Sequence, residues 1–120
     1  MIKEDYVSFE VARLLEEKGF NEVVHAYYNI FDKVNLDFNV SGRAPHLQIP
    51  CPTHQMAMAW LREVHKIFIV IQPVSGKGYG AVLCDVGDFD DFNYIGETDY
   101  FFHPEEAVEA ALKYVLENLI

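Results

Sequence analysis

Cysteine is scarce in this chain, basic residues are outnumbered, and long apolar runs are missing. Two cysteines, Cys51 and Cys84, are the only candidates for a disulfide. A chain of 120 residues, 51% of them apolar, has enough material for a core without such a staple, so both are expected as reduced thiols. Nine Lys and Arg stand against nineteen Asp and Glu, giving a net charge of −10. That balance repels a phosphate backbone and disfavours direct nucleic-acid binding, while it suits either a basic protein partner or plain solubility. No apolar run approaches the ~20 residues of a bilayer-crossing helix, and Met1 to Glu10 lacks the order of a secretory signal. A cytoplasmic protein without a membrane partner is expected. Absent too are the G-x-S-x-G elbow, the H-E-x-x-H pair and the G-x-G-x-x-G turn, so no common enzyme signature is present.

What is present reads as alternating helix and strand signals. Ser8 can cap a helix whose Val11, Ala12 and Leu15 share one face, and Gly19 supplies the left-handed stop with Phe20 folding back onto the last turn. From Val23 to Phe31 the residues are β-branched and aromatic; Asp32-Lys33 offers a turn, and Val34, Leu36, Phe38 and Val40 then alternate with polar residues as a hairpin would. Ala44 to Pro52 reads as an extended approach. Thr53 caps the next helix, with Met56, Ala57, Trp60, Leu61 and Val64 on one face and His65 and Lys66 at its negative end. The stripe of Met56, Trp60 and Val64 fits either the interior or the seam of a homodimer.

Ile67 to Ile71 follows as a strand apolar enough to be central and buried on both faces. Ser75-Gly76-Lys77-Gly78 makes a hairpin tip before Tyr79 to Val86, and Tyr94 to Phe102 supplies a third strand with Gly96 at a bend. Pro104, Glu105 and Glu106 open a last helix with a stripe of Val108, Ala111, Leu112, Val115 and Leu119; Glu109 and Lys113 form an i, i+4 pair on its wet side. The expectation is one α+β domain over residues 1–120: a small antiparallel sheet packed with three helices in the order α-ββ-α-βββ-α.

Each candidate for chemistry has a plainer reading beside it. Lys77 between two glycines suggests a phosphate loop, but Gly78 leads into a strand where a P-loop would open a helix, so a hairpin turn is the reading. Cys51 and His54 have the C-x-x-H spacing of half a zinc site, with His25, His46, His65, His103 and Cys84 as conceivable completions; the second pair of a structural site is missing. Cys84, in a strand, reads as a small core residue. Asp85, Asp88, Asp90, Asp91, Glu97 and Asp99 are dense in carboxylates yet lack the glycine and distal glutamate of a calcium loop, so a solvated acidic loop is the reading. The sequence therefore assigns no catalytic residue, no metal ligands and no cofactor. Aromatics beside those acids are the remaining feature. Asp88, Phe89, Asp90, Asp91, Phe92 and Tyr94 form the candidate partner-binding surface, because neighbouring strand residues face opposite ways and one of each aromatic pair is left to anchor a partner.

Three blocks carry a resemblance: Val7 to Leu15 with Gly19-Phe20 and Tyr27-Tyr28; Pro52-Thr53 with Trp60-Leu61-Arg62-Glu63; and Glu105 to Leu112. They resemble a set of short uncharacterised proteins of phages, prophages and mobile elements of gut bacteria, which implies a setting and no activity. Asp32 to His46 departs from that pattern. The expected function is a small accessory or protein-binding chain of phage type that uses its acidic, aromatic surface on a basic partner. The alternative comes from the C-terminal βββα segment, similar in outline to HicB-type antitoxins, which implies inhibition of a small basic toxin. An enzyme using Cys51, His54 or the acidic loop is the third reading.

Overall fold

A computed structural model of the chain describes residues 4–38, 47–85 and 93–120 in full, and the backbone alone at Val86 and Phe92. Its elements are α1 (Phe9–Glu17), β1 (Ala26–Asn29), β2 (Asp32–Phe38), β3 (Gln48–Pro50), α2 (His54–His65), β4 (Ile67–Val74), β5 (Gly78–Val86), β6 (Phe92–Glu97) and α3 (Pro104–Asn118). The class is α+β with three helices, as expected. The strands form two antiparallel sheets in place of one, in the orders β2-β1-β3 and β4-β5-β6. The extra strand, β3, arises where the proline-rich approach to α2 lies extended beside β1, with Tyr28 opposite Ile49.

Local chemistry sets the helix ends. The Ser8 hydroxyl accepts from Val11 N–H at 3.2 Å and the Thr53 hydroxyl from Met56 N–H at 3.2 Å, satisfying donors that the first turns of α1 and α2 leave without partners. Gly19 takes φ +95° after α1, and Phe20 N–H donates to Leu15 O at 3.0 Å, which drops the Phe20 ring onto Trp60 in an edge contact at 5.5 Å. Lys66 ends α2 in the left-handed region at φ 60°, a conformation that L side chains adopt at a cost. Pro104 starts α3 with Glu105 and Glu106 in its first turn, where the helix dipole favours them.

A single core joins these parts. Val11, Ala12 and Leu15 of α1, Ala57, Trp60 and Leu61 of α2, Ala81 and Leu83 of β5, and Ala107, Val108, Ala111, Leu112, Val115 and Leu116 of α3 are all buried in it. Helix α3 is its spine, packing against α1, α2, β4 and β5.

Four expectations are corrected. Strand β4 lies at the edge of its sheet, and β5 is the central strand. Val70 is 42% exposed, so β4 has one buried face, its apolar run notwithstanding. An edge position also explains Pro73, which has no N–H to give a ladder. Val64 leaves the α2 stripe and is 56% exposed. In the N-terminal hairpin the turn falls at Ile30-Phe31, fixed by Asn29, whose side-chain oxygen accepts from Phe31 N–H at 2.8 Å; Asp32 already opens β2. Glu109 and Lys113 do not pair. Lys113 reaches Glu10 on α1 at 3.1 Å, and Glu109 turns to other partners. Val40 lies outside the described residues.

Candidate functional site

Strands β4 and β5 pair in unbroken register from Ile67 opposite Asp85 to Val74 opposite Gly78. Residues opposed across a ladder share a face, and successive residues alternate. One face of the sheet therefore carries Ile67, Ile69, Ile71, Ala81 and Leu83 toward the core. Gly96 also points that way, since a Cβ there would come within 3.8 Å of the Tyr114 ring of α3. The other face carries Phe68, Val70, Val82 and Cys84, with Tyr94 of β6 opposite Cys84 and Glu97 opposite Val82.

This second face is apolar at its centre and charged at both rims. Phe68, Val82 and Cys84 are half-buried, whereas Tyr94 is 61% exposed. The Arg62 guanidinium lies 5.5 Å from the Phe68 ring centroid and closes one rim. At the other rim, partial desolvation and then the Glu97 carboxylate raise the Tyr94 hydroxyl above its ordinary value.

Of the residues proposed from sequence, Asp88, Phe89, Asp90 and Asp91 lie outside the described residues. Phe92 opens β6 opposite Val86, and Tyr94 stands on the face turned away from α3. Cys84 lies on that same face, half-buried, and is not a core residue; the buried cysteine is Cys51. Phe68, Val70 and Val82 were not singled out by the sequence. A run read as buried on both sides conceals which alternate residues face solvent.

A second constellation lies at the start of α2. His54 Nε2 is 2.9 Å from Glu109 Oε1, and the same oxygen accepts from Ser8 N–H at 2.8 Å. Burial alone would raise the Glu109 carboxyl, but the hydrogen bonds from His54 and Ser8 outweigh it and hold the group below its ordinary value. Asp5, Tyr6, Ser8, Phe101, Glu105 and Glu106 complete a shallow groove around the pair.

Cys51 and His54 are directed to different partners. The Cys51 thiol donates to Val7 O at 3.3 Å, and burial pushes it up to about 12. A thiol so placed stays protonated, which removes it as a nucleophile at neutral pH. Beside it the Tyr28 hydroxyl donates to Val7 O at 2.8 Å and is likewise raised by burial. Among the described residues no three of His, Cys, Asp and Glu gather as a metal-binding group. His65 Nε2 is buried without a hydrogen-bond partner among the described residues, its ring edge-on to Trp60 at 4.9 Å.

These features define a small α+β protein with an apolar sheet face turned away from α3 and a partly buried histidine–carboxylate pair. The chain matches no protein-family model, and no curated protein or solved structure is significantly similar to it. No helix among the described residues is long and apolar enough to cross a membrane.

Proposed function

We propose that this chain is a protein-binding module that seats a basic partner on the face of β4-β5-β6 turned away from α3. The observation that carries the reading is that three adjacent strands turn Phe68, Val70, Val82, Cys84 and Tyr94 to the side away from α3. Interface centres favour such a surface: aromatic and aliphatic anchors inside a polar rim. Charge supports a basic partner, since the chain carries −10 overall and Glu97 and Asp99 stand exposed on the β6 side.

The antitoxin-like alternative uses the same face. It is favoured by the contiguity of β4, β5, β6 and α3, with α3 packed across one side of the sheet. Affinity capture from the native host, with wild type and Tyr94→Asp compared at equal thermal stability, tests both readings. A stoichiometric basic protein held by wild type and lost by the variant is the expected result. Equal retention by the two proteins overturns the surface assignment. Capture of a toxin whose growth arrest the chain relieves selects the inhibitor reading.

A further inference from the structure

The free edge of β4 is self-complementary, and its geometry follows from the other side of the sheet. Tyr79 exchanges both backbone bonds with Phe101, at 2.7 and 2.8 Å, and Ala81 sends its N–H to the Thr98 hydroxyl and receives Thr98 N–H, both at 2.9 Å. Tyr79 and Ala81 thus direct their backbone groups away from β4. Their partners across the ladder, Pro73 and Ile71, occupy non-hydrogen-bonded positions and direct theirs outward. Alternation extends this to Ile69 and Ile67, because the β4–β5 register has no bulge.

The outer edge therefore presents the N–H and C=O groups of Ile67, Ile69 and Ile71, followed by Pro73, which has only a carbonyl. Among the described residues none of these groups has a partner across the edge. Natural sheets seldom leave such a strand open.

We infer that a second copy of this chain occupies this edge, pairing β4 with β4 antiparallel about a two-fold axis at Ile69. In that register Ile69 bonds its own counterpart and Ile67 bonds Ile71 of the other copy in both directions, using every outward donor of the three isoleucines. Pro73 falls just beyond the paired segment, where its missing N–H ends the ladder. Phe68 meets Val70 of the other copy on the face turned away from α3, once on each side of the axis. The two open faces then join into one continuous apolar surface.

Local neutrality lets a like copy approach here despite the net −10 of each chain. Ile67–Val74 contains no charged residue, and of the charged side chains just before it Arg62 and Lys66 outnumber Glu63, so pairing brings no carboxylate of β4 against another. Ile69 and Ile71 are only half-buried although they point to the core side, which shows that the helical layer stops short of this edge. Symmetry fits as well: an isologous contact requires one patch to match itself, and a neutral strand with outward groups centred on Ile69 does so. The inference stands apart from the binding reading above.

The test is sedimentation of the full chain over a concentration series, with amide exchange on the same samples. Wild type is expected to dimerise, with the Ile67, Ile69 and Ile71 amides protected in the dimer and released on dilution. Ile69→Pro removes the donors at the axis from a position that spends none on β5, and Val70→Lys sets cations beside the axis without touching the backbone. Each is expected to weaken the dimer at least ~10-fold with unchanged circular dichroism. A wild type that stays monomeric, a dimer that survives Val70→Lys, or one in which the Ile69 amide exchanges freely overturns the proposal. If Ile69→Pro fails to fold, Val70→Lys and the exchange pattern decide. Protection of those amides only when an unrelated extended protein is added also overturns it, in favour of a foreign strand.

Discussion

Glu109 Oε1 receives both His54 Nε2 at 2.9 Å and Ser8 N–H at 2.8 Å, so one carboxylate oxygen holds the starts of α1 and α2 against the middle of α3. His54 is the one buried polar side chain among the described residues, and Glu109 is its partner. Removing the carboxylate leaves the buried His54 ring nitrogen without its partner and hands the exposed Ser8 N–H to water. Glu109→Ala is expected to cost about 1–3 kcal/mol, measured by urea unfolding at neutral pH. The carboxyl is lowered by folding, so its contribution is complete above the ordinary value of 4.5 and is lost as pH falls through the lower folded value. Glu109→Gln should flatten that acid limb. An unchanged limb would show that another group sets it.

The two cysteines should differ sharply in reactivity. Cys51 is 1% exposed with its thiol held protonated, whereas Cys84 is half-buried on the open face. A thiol reagent applied to the native protein at neutral pH is expected to label Cys84 first and Cys51 only on unfolding. Because burial raises Cys51, the stabilisation from its neutral form is full below the unfolded value of 9.0 and is lost as pH rises toward about 12.

Gly78 is fixed by two independent constraints. Its φ is +103°, and an added Cβ would collide with the carbonyl oxygen of Phe101. Gly78→Ala is therefore expected to destabilise by at least ~1–3 kcal/mol, whereas Gly76→Ala, which meets open space, carries only the conformational penalty of its φ of +78°. Thermal unfolding of the two variants compares them directly.

Lys66 presents the reverse case. A lysine at φ 60° ends α2, and its side chain is exposed and donates to Glu63 O at 3.0 Å. Lys66→Gly is expected to stabilise the protein by up to ~1 kcal/mol, since glycine reaches that conformation without a Cβ clash. A lower melting temperature in the variant would refute this.

The parts legible in the sequence are those governed by neighbouring residues. Ser8 and Thr53 act as caps, Gly19 stops α1, and Ser75 to Gly78 forms the tip between β4 and β5, all through local geometry. Long-range placement was not legible. Ile67 to Ile71 has the composition of a central strand, and only the pairing of β5 with β6 moves β4 to the edge. Glu109 sits four residues before Lys113, the right spacing for a surface pair, yet each is claimed by a partner far along the chain. The open sheet face eluded the sequence for the same reason: its residues alternate with those of the core, and nothing local says which set faces α3.

Strand β2 joins the molecule mainly through its ladder to β1, and among the described residues its further ties are Phe38 edge-on to Tyr6 at 5.7 Å, Lys33 over the Phe9 ring at 5.3 Å and Leu36 against the core. Six of its seven residues are exposed, Leu36 being the exception, and Val34 is 83% so. Helix α3, by contrast, is gripped on several sides. The fold should consequently open in graded steps and not all at once: amides of β2 exchange first, by fluctuations that leave the rest intact, and those around Leu112 and Val115 exchange last, when the whole chain unfolds. The native state is thus a hierarchy of local stabilities, with its loosest rung at β2 and its firmest along α3.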